Sequence, residues 1–152
     1  MDAEHRTRTI TRTTRIRSSP HAVFQAVHSP EIAPLIDPGV KSWTPDRHPI
    51  GLGTRFSIRA QLGVVPIRGV SEIVSWDPPT SVVYRSVKPS WPMSMTAVHR
   101  CEPDGPEHTN YTWEITFHER HVLARPGIAM AVRLFSTAME RQSAALTRYL
   151  ET

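Results

Sequence analysis

The sequence predicts an α+β domain: a curved antiparallel sheet of seven strands, covered by one long C-terminal helix and closed at one end by two short helices. Two features of the pattern lead there. Between Val40 and His118 no helical period is found, and short alternating runs are separated by Pro and Gly, as in an antiparallel meander. After Arg125-Pro126-Gly127 the period changes, and Ile128, Val132, Phe135, Met139, Gln142, Leu146 and Tyr149 recur every three or four residues. Length agrees with a single domain over residues 1–152, since 152 residues of which 39% are hydrophobic suffice for one core.

The elements follow in order. Arg6 to Ile16 is rich in Thr and Arg, with Ile10 and Ile16 on one parity, which suits a half-exposed strand. Ser18-Ser19-Pro20 supplies a capping residue and a first-turn proline for a helix carrying Ala22, Val23, Ala26 and Val27. Pro30 opens a second short helix with Ile32, Leu35 and Ile36, ended by the turn Asp37-Pro38-Gly39. Six strands are then expected at Val40–Thr44, Gly53–Leu62, Val65–Ser75, Ser81–Val87, Met93–Cys101 and Thr109–His118. Tyr111, Trp113, Ile115 and Phe117 share one face of the last strand. Because a sheet cannot bury its apolar face alone, the long helix is expected to cover it rather than to zip against a partner helix, though a homodimer is left open.

Charge and cysteine content narrow the class. The formal net charge is +4, but the arginines are scattered and form no basic arm, so nucleic acid is not expected as a partner. Cys101 is the one cysteine, which excludes an intrachain disulfide framework and fits a cytoplasmic protein. Met1 to Arg17 has no apolar stretch, so neither a signal peptide nor a transmembrane segment is expected there.

Local phrases carry a resemblance. Ser19-Pro20-His21-Ala22-Val23-Phe24, Asp37-Pro38-Gly39-Val40, Gly51-Leu52-Gly53-Thr54-Arg55, Trp76-Asp77-Pro78-Pro79 with Val82-Val83-Tyr84, and Tyr111-Thr112-Trp113 resemble the SRPBCC or START-like superfamily. Within it the chain is most similar to the bacterial polyketide cyclase/dehydrase group, and the match of element order runs over nearly the whole chain. The resemblance implies a helix-grip fold with a hydrophobic small molecule, a polyketide or a lipid, held between sheet and helix. It does not decide between catalysis and carriage, because one fold hosts many functions.

Strand parity then nominates residues. Phe56, Ile58, Tyr84, Met93, Met95, Trp113 and Ile115 would line the cavity, facing Met130, Leu134, Phe135 and Met139, with Trp91 as a lid or a turn anchor. The same side chains could simply fill a core. In Val65–Ser75 both faces are partly apolar, so the facing is open: one parity gives Ile67, Gly69, Ser71 and Ile73, the other Arg68, Val70, Glu72 and Val74. With the second inward, Arg68 would polarise a ketone, His99 or Glu72 would move the proton of an aldol closure, and Tyr111 would orient the chain. With the first inward, Arg68 and Glu72 belong to a surface ion pair.

Other chemistries fit less well. His118-Glu119-Arg120-His121 lacks the histidine spacing of a helical zinc motif, so no metal is expected. No glycine-flanked serine elbow appears, and Gly51-Leu52-Gly53 precedes a strand rather than a helix, so it is no dinucleotide loop. The expected chemistry needs no cofactor. An interaction protein with a filled core is the third alternative to a cyclase or a carrier.

Overall fold

Seven antiparallel strands, in the order β1-β7-β6-β5-β4-β3-β2, form one sheet in this computed structural model. It describes residues 6–37 and 39–152, so Met1 to His5 and Pro38 of the expected turn lie outside the described residues. The strands are β1 Thr7–Ile16, β2 Val40–Pro45, β3 Arg55–Leu62, β4 Val65–Asp77, β5 Ser81–Lys88, β6 Met93–Asp104 and β7 His108–Glu119. Helices α1 Pro20–Val27 and α2 Ala33–Ile36 separate β1 from β2, and a 3-10 turn at Val122–Ala124 leads into α3, Arg125–Glu151.

This is the predicted helix-grip architecture, with differences only at the ends of elements. α1 starts where expected: the Ser19 hydroxyl accepts from the Ala22 N–H at 3.1 Å, and Pro20 occupies the first turn. α2 is shorter than the pattern from Pro30 suggests, spanning four residues, and Leu35 is exposed. β3 begins at Arg55 rather than Gly53, because Gly53 takes a positive φ of 85° in the turn that precedes the strand.

α3 packs against β1, β3 and β7. It buries Ile128, Met139, Gln142 and Leu146, while Tyr149, placed on the same stripe by the sequence, is exposed near the helix end. With the preceding turn, α3 is the one segment among the described residues long and apolar enough to cross a membrane; here it covers the sheet. Arg12, on the side of β1 that faces this helix, reaches Glu140 at 3.7 Å. The core has two parts. One gathers Phe56, Ile73, Tyr84, Tyr111 and Leu146 around α1, and the other gathers Ile115, Phe117, Ile128 and Met139 beneath the first half of α3.

Candidate functional site

A cavity of about 430 Å³ lies between the sheet and α3. Its apolar wall includes Ile58, Met93, Met95, Trp113 and Ile115 from the strands, and Met130, Leu134 and Phe135 from the helix, all expected from parity. Tyr84 lines it too. Ile67, Gly69 and Ser71 line it from β4, which answers the open question of that strand's facing. Gly69 has a steric reason: a Cβ there would sit 2.8 Å from the Lys88 carbonyl oxygen. Where the cavity meets solvent, Arg68, Lys88, Gly127 and Met130 are all exposed.

Five of the nominated residues do not line the cavity: Glu72, Phe56, Met139, Trp91 and Tyr111. Glu72 points to the outer face, where its carboxylate accepts from Arg55 Nε at 2.8 Å and lies 3.9 Å from Arg85. The inward turn of Ile67, Gly69 and Ser71 puts it there, since alternate residues face opposite sides. Phe56 is fully buried beside the cavity, stacked on Trp43 with ring centroids 4.1 Å apart, and does not line it. Met139 fills the second core cluster. Trp91 is exposed and stands against His121, ring centroids 5.5 Å apart, so it is not a buried anchor, and it does not line the cavity.

The polar corner of the cavity is built from two histidine–tyrosine pairs. On β6, His99 Nδ1 lies 2.7 Å from the Tyr111 hydroxyl of β7. Tyr111 itself is buried behind the wall, so it holds His99 rather than facing a ligand. His28 makes the second pair: its Nδ1 lies 2.7 Å from the Tyr84 hydroxyl of β5. The two imidazoles meet edge to face, with centroids 5.1 Å apart. Trp113 stacks on His99 with ring centroids 5.6 Å apart, and Gln142 of α3 is buried in the same corner. Of these groups, His28, Tyr84, His99, Trp113 and Gln142 line the cavity.

His28 was not nominated from the sequence, which attended to strand parity. It follows the last residue of α1, its N–H donating to the Phe24 carbonyl at 3.1 Å. The spacing Phe24, Val27, His28 places it on the buried face of that helix, and this i, i+3, i+4 pattern was the signal that could have found it.

Burial fixes the protonation of the corner. It lowers the His99 pKa from 6.5 to about 3, and it lowers His28 well below the same value, with the neighbouring His99 adding to the effect. Burial also raises the Tyr84 and Tyr111 hydroxyls above the ordinary tyrosine value. At neutral pH the corner therefore holds two uncharged imidazoles and two uncharged phenols. The Cys101 thiol, raised to about 12 by burial, is inert.

Among the described residues four buried side-chain polar atoms make no hydrogen bond, and three belong to this corner: His28 Nε2, Trp113 Nε1 and Gln142 Oε1. Each such atom costs about 1–3 kcal/mol of desolvation until a partner reaches it. No group of His, Cys, Asp or Glu among the described residues could hold a metal ion.

A seven-stranded antiparallel sheet gripping a C-terminal helix over an internal, mostly apolar cavity defines a START-like domain. The chain belongs to the family described as polyketide cyclase / dehydrase and lipid transport, whose sequence profile matches residues 7–151. No curated protein sequence matches it. Among solved structures it is similar to the Zhui aromatase/cyclase from Streptomyces sp. R1128, with a TM-score of 0.74 and 16% identity over 96% of this chain and 94% of that one. It is similar to a START superfamily protein from Mycobacterium smegmatis, with a TM-score of 0.75 and 12% identity over 94% and 97% of the two chains. The di-domain ARO/CYC BexL from the BE-7585A biosynthetic pathway aligns with a TM-score of 0.74 and 17% identity, over 95% of this chain. The present chain spans 46% of BexL's length. At such identities the likeness establishes the fold.

Proposed function

We propose that the protein takes up a hydrophobic polyketide-like molecule and promotes its aldol cyclisation or dehydration without a cofactor. The observation that carries this reading is the pair of uncharged imidazoles, each fixed through Nδ1 by a tyrosine hydroxyl at 2.7 Å, in the wall of an apolar cavity. A neutral imidazole N–H polarises a ketone without a buried charge. With the Tyr111 O–H donating to Nδ1, His99 offers Nε2–H to the ketone oxygen and stabilises the enolate oxygen as it forms. His28, with Nδ1–H donated to the Tyr84 hydroxyl, is the base that takes the α-proton through Nε2 once the bound chain displaces the side chains that cover that atom. The enolate carbon then attacks a second carbonyl of the same chain, forming the carbon–carbon bond. The resulting alkoxide takes the proton back from His28, and loss of that hydroxyl with an α-hydrogen releases water. The apolar walls hold the chain folded so that the reacting carbons meet.

Arg68, nominated from the sequence as the carbonyl-polarising group, sits at the exposed rim, and that role passes to His99 in this reading. A second reading, carriage of a lipid or similar molecule without turnover, is favoured by the same burial that keeps the imidazoles neutral, because it also makes them weak bases. The two separate in one assay. A linear poly-β-ketone thioester is incubated with the protein, and cyclised or dehydrated product is followed by mass spectrometry. Catalysis predicts product above the spontaneous rate that falls at least about tenfold in His28→Phe or His99→Phe. Binding of the thioester with no acceleration leaves carriage, and no binding at all refutes both.

A further inference from the structure

The two ends of the sheet differ in the charge and apolarity they expose. At the end carrying the turns β1–α1, β2–β3, β4–β5 and β6–β7, the cations are largely neutralised: Arg15 pairs with Asp104 at 2.7 Å, Arg17 with Glu107 at 3.9 Å and Arg47 with Asp46 at 3.4 Å. The opposite end carries the β3–β4 and β5–β6 turns, the segment after β7 and the start of α3, and it surrounds the cavity mouth. Arg68 and Lys88, on the rim itself, make no ion pair among the described residues. Among the described residues the Arg120 guanidinium pairs with no carboxylate and donates to the Ser94 hydroxyl at 3.2 Å. Among the described residues, two carboxylates of that end are already engaged. Glu119 accepts from Arg125 at 3.0 Å, and Asp37, partly buried in the cavity wall, accepts from the Gly39 N–H.

Large apolar side chains are exposed at the same end. Trp91 is 61% exposed, Val122 52%, Leu123 69% and Met130 56%. They belong together: the Arg120 N–H donates to the Pro92 carbonyl at 2.8 Å, tying the Trp91 turn to the segment that carries Val122 and Leu123, and Met130 lines the mouth. All four stand on turns or on the first turns of a helix, so they protrude. Protruding Trp and Leu beside unpaired Arg and Lys is the chemistry that suits the interface of an anionic bilayer, where the apolar tips enter the acyl boundary and the cations meet lipid phosphates.

We infer that this end docks on anionic membranes, with the cavity mouth facing the bilayer, so that the apolar ligand enters or leaves without crossing water. The surface stands independently of the chemistry inside the cavity. It would serve a carrier and an enzyme alike.

The test is sedimentation of the purified protein with vesicles of phosphatidylcholine alone, and of phosphatidylcholine mixed with phosphatidylglycerol. Binding is expected to the mixed vesicles, weakened by salt, and lower by about tenfold or more in Trp91→Ser/Leu123→Ser. Arg68→Gln/Lys88→Gln should weaken it several-fold, whereas Leu52→Ser, an equally exposed leucine at the other end of the sheet, should leave it unchanged. Circular dichroism of each variant reports that the fold is kept. No binding to either vesicle overturns the inference. So does binding that Leu52→Ser reduces as much as Trp91→Ser/Leu123→Ser, or capture of an acidic protein by this surface with no vesicle binding.

Discussion

Acidification should destabilise the folded protein through His99 in a window set by its burial. The folded-state pKa, about 3, lies below the ordinary 6.5 of an unfolded histidine, so between those values the unfolded chain binds a proton that the folded chain does not. The contribution to stability is therefore intact above pH 6.5 and is lost as the pH falls, at about 1.4 kcal/mol per pH unit. From 6.5 to about pH 5 the loss is about 2 kcal/mol, or roughly 4–8 °C in Tm for a domain of this size. His28, lowered in the same direction by burial and by His99, steepens the slope. Urea melts at several pH values between about 5 and 7.5, above the main carboxylate range, measure it. His99→Gln keeps an amide oxygen for the Tyr111 hydroxyl while removing the titrating group, so its stability should depend less on pH. Parallel curves for the two proteins would refute the claim that His99 is buried and neutral.

Two further outcomes follow from the same geometry. Tyr111→Phe removes the hydroxyl that holds His99, leaving a buried ring nitrogen unpaired; the cost should be about 1–3 kcal/mol in urea melts, with product formation reduced as well. A cost under about 0.5 kcal/mol would mean that the network is not formed. Glu72→Gln, by contrast, should change stability by no more than about 1 kcal/mol and leave ligand binding unaltered, because Glu72 meets half-exposed Arg55 on the outer face. A large loss of binding would return Glu72 to the cavity.

How far the sequence can be read differs between fold and site. The sheet was legible because antiparallel strands with one buried face alternate strictly, as Tyr111, Trp113, Ile115 and Phe117 do. The long helix was legible for the parallel reason that Ile128, Met139 and Leu146 keep one face. The site was legible where parity alone decides, as for His99, Met93, Met95 and Trp113. It failed where parity was ambiguous: β4 carries apolar residues on both faces, and only pairing with its neighbours and the tight approach of Gly69 to Lys88 set its facing. It failed again where a residue enters from outside the sheet, as His28 does from the end of α1. Inward facing also proved distinct from lining, since Phe56 and Met139 face inward but are covered by Trp43 and by the Phe117 cluster.

In the reading proposed above, the cavity recognises an apolar molecule through its oxygen atoms. Calorimetric titration with a matched pair, a fused-ring aromatic ketone and the hydrocarbon of the same shape without oxygen, tests it directly. The ketone should bind at least about tenfold more tightly, because its carbonyl accepts from His99 in the cavity wall and the hydrocarbon cannot, and the preference should collapse in His99→Phe. Equal affinity for the two compounds in the unaltered protein would contradict the account and reduce the polar corner to a part of the core.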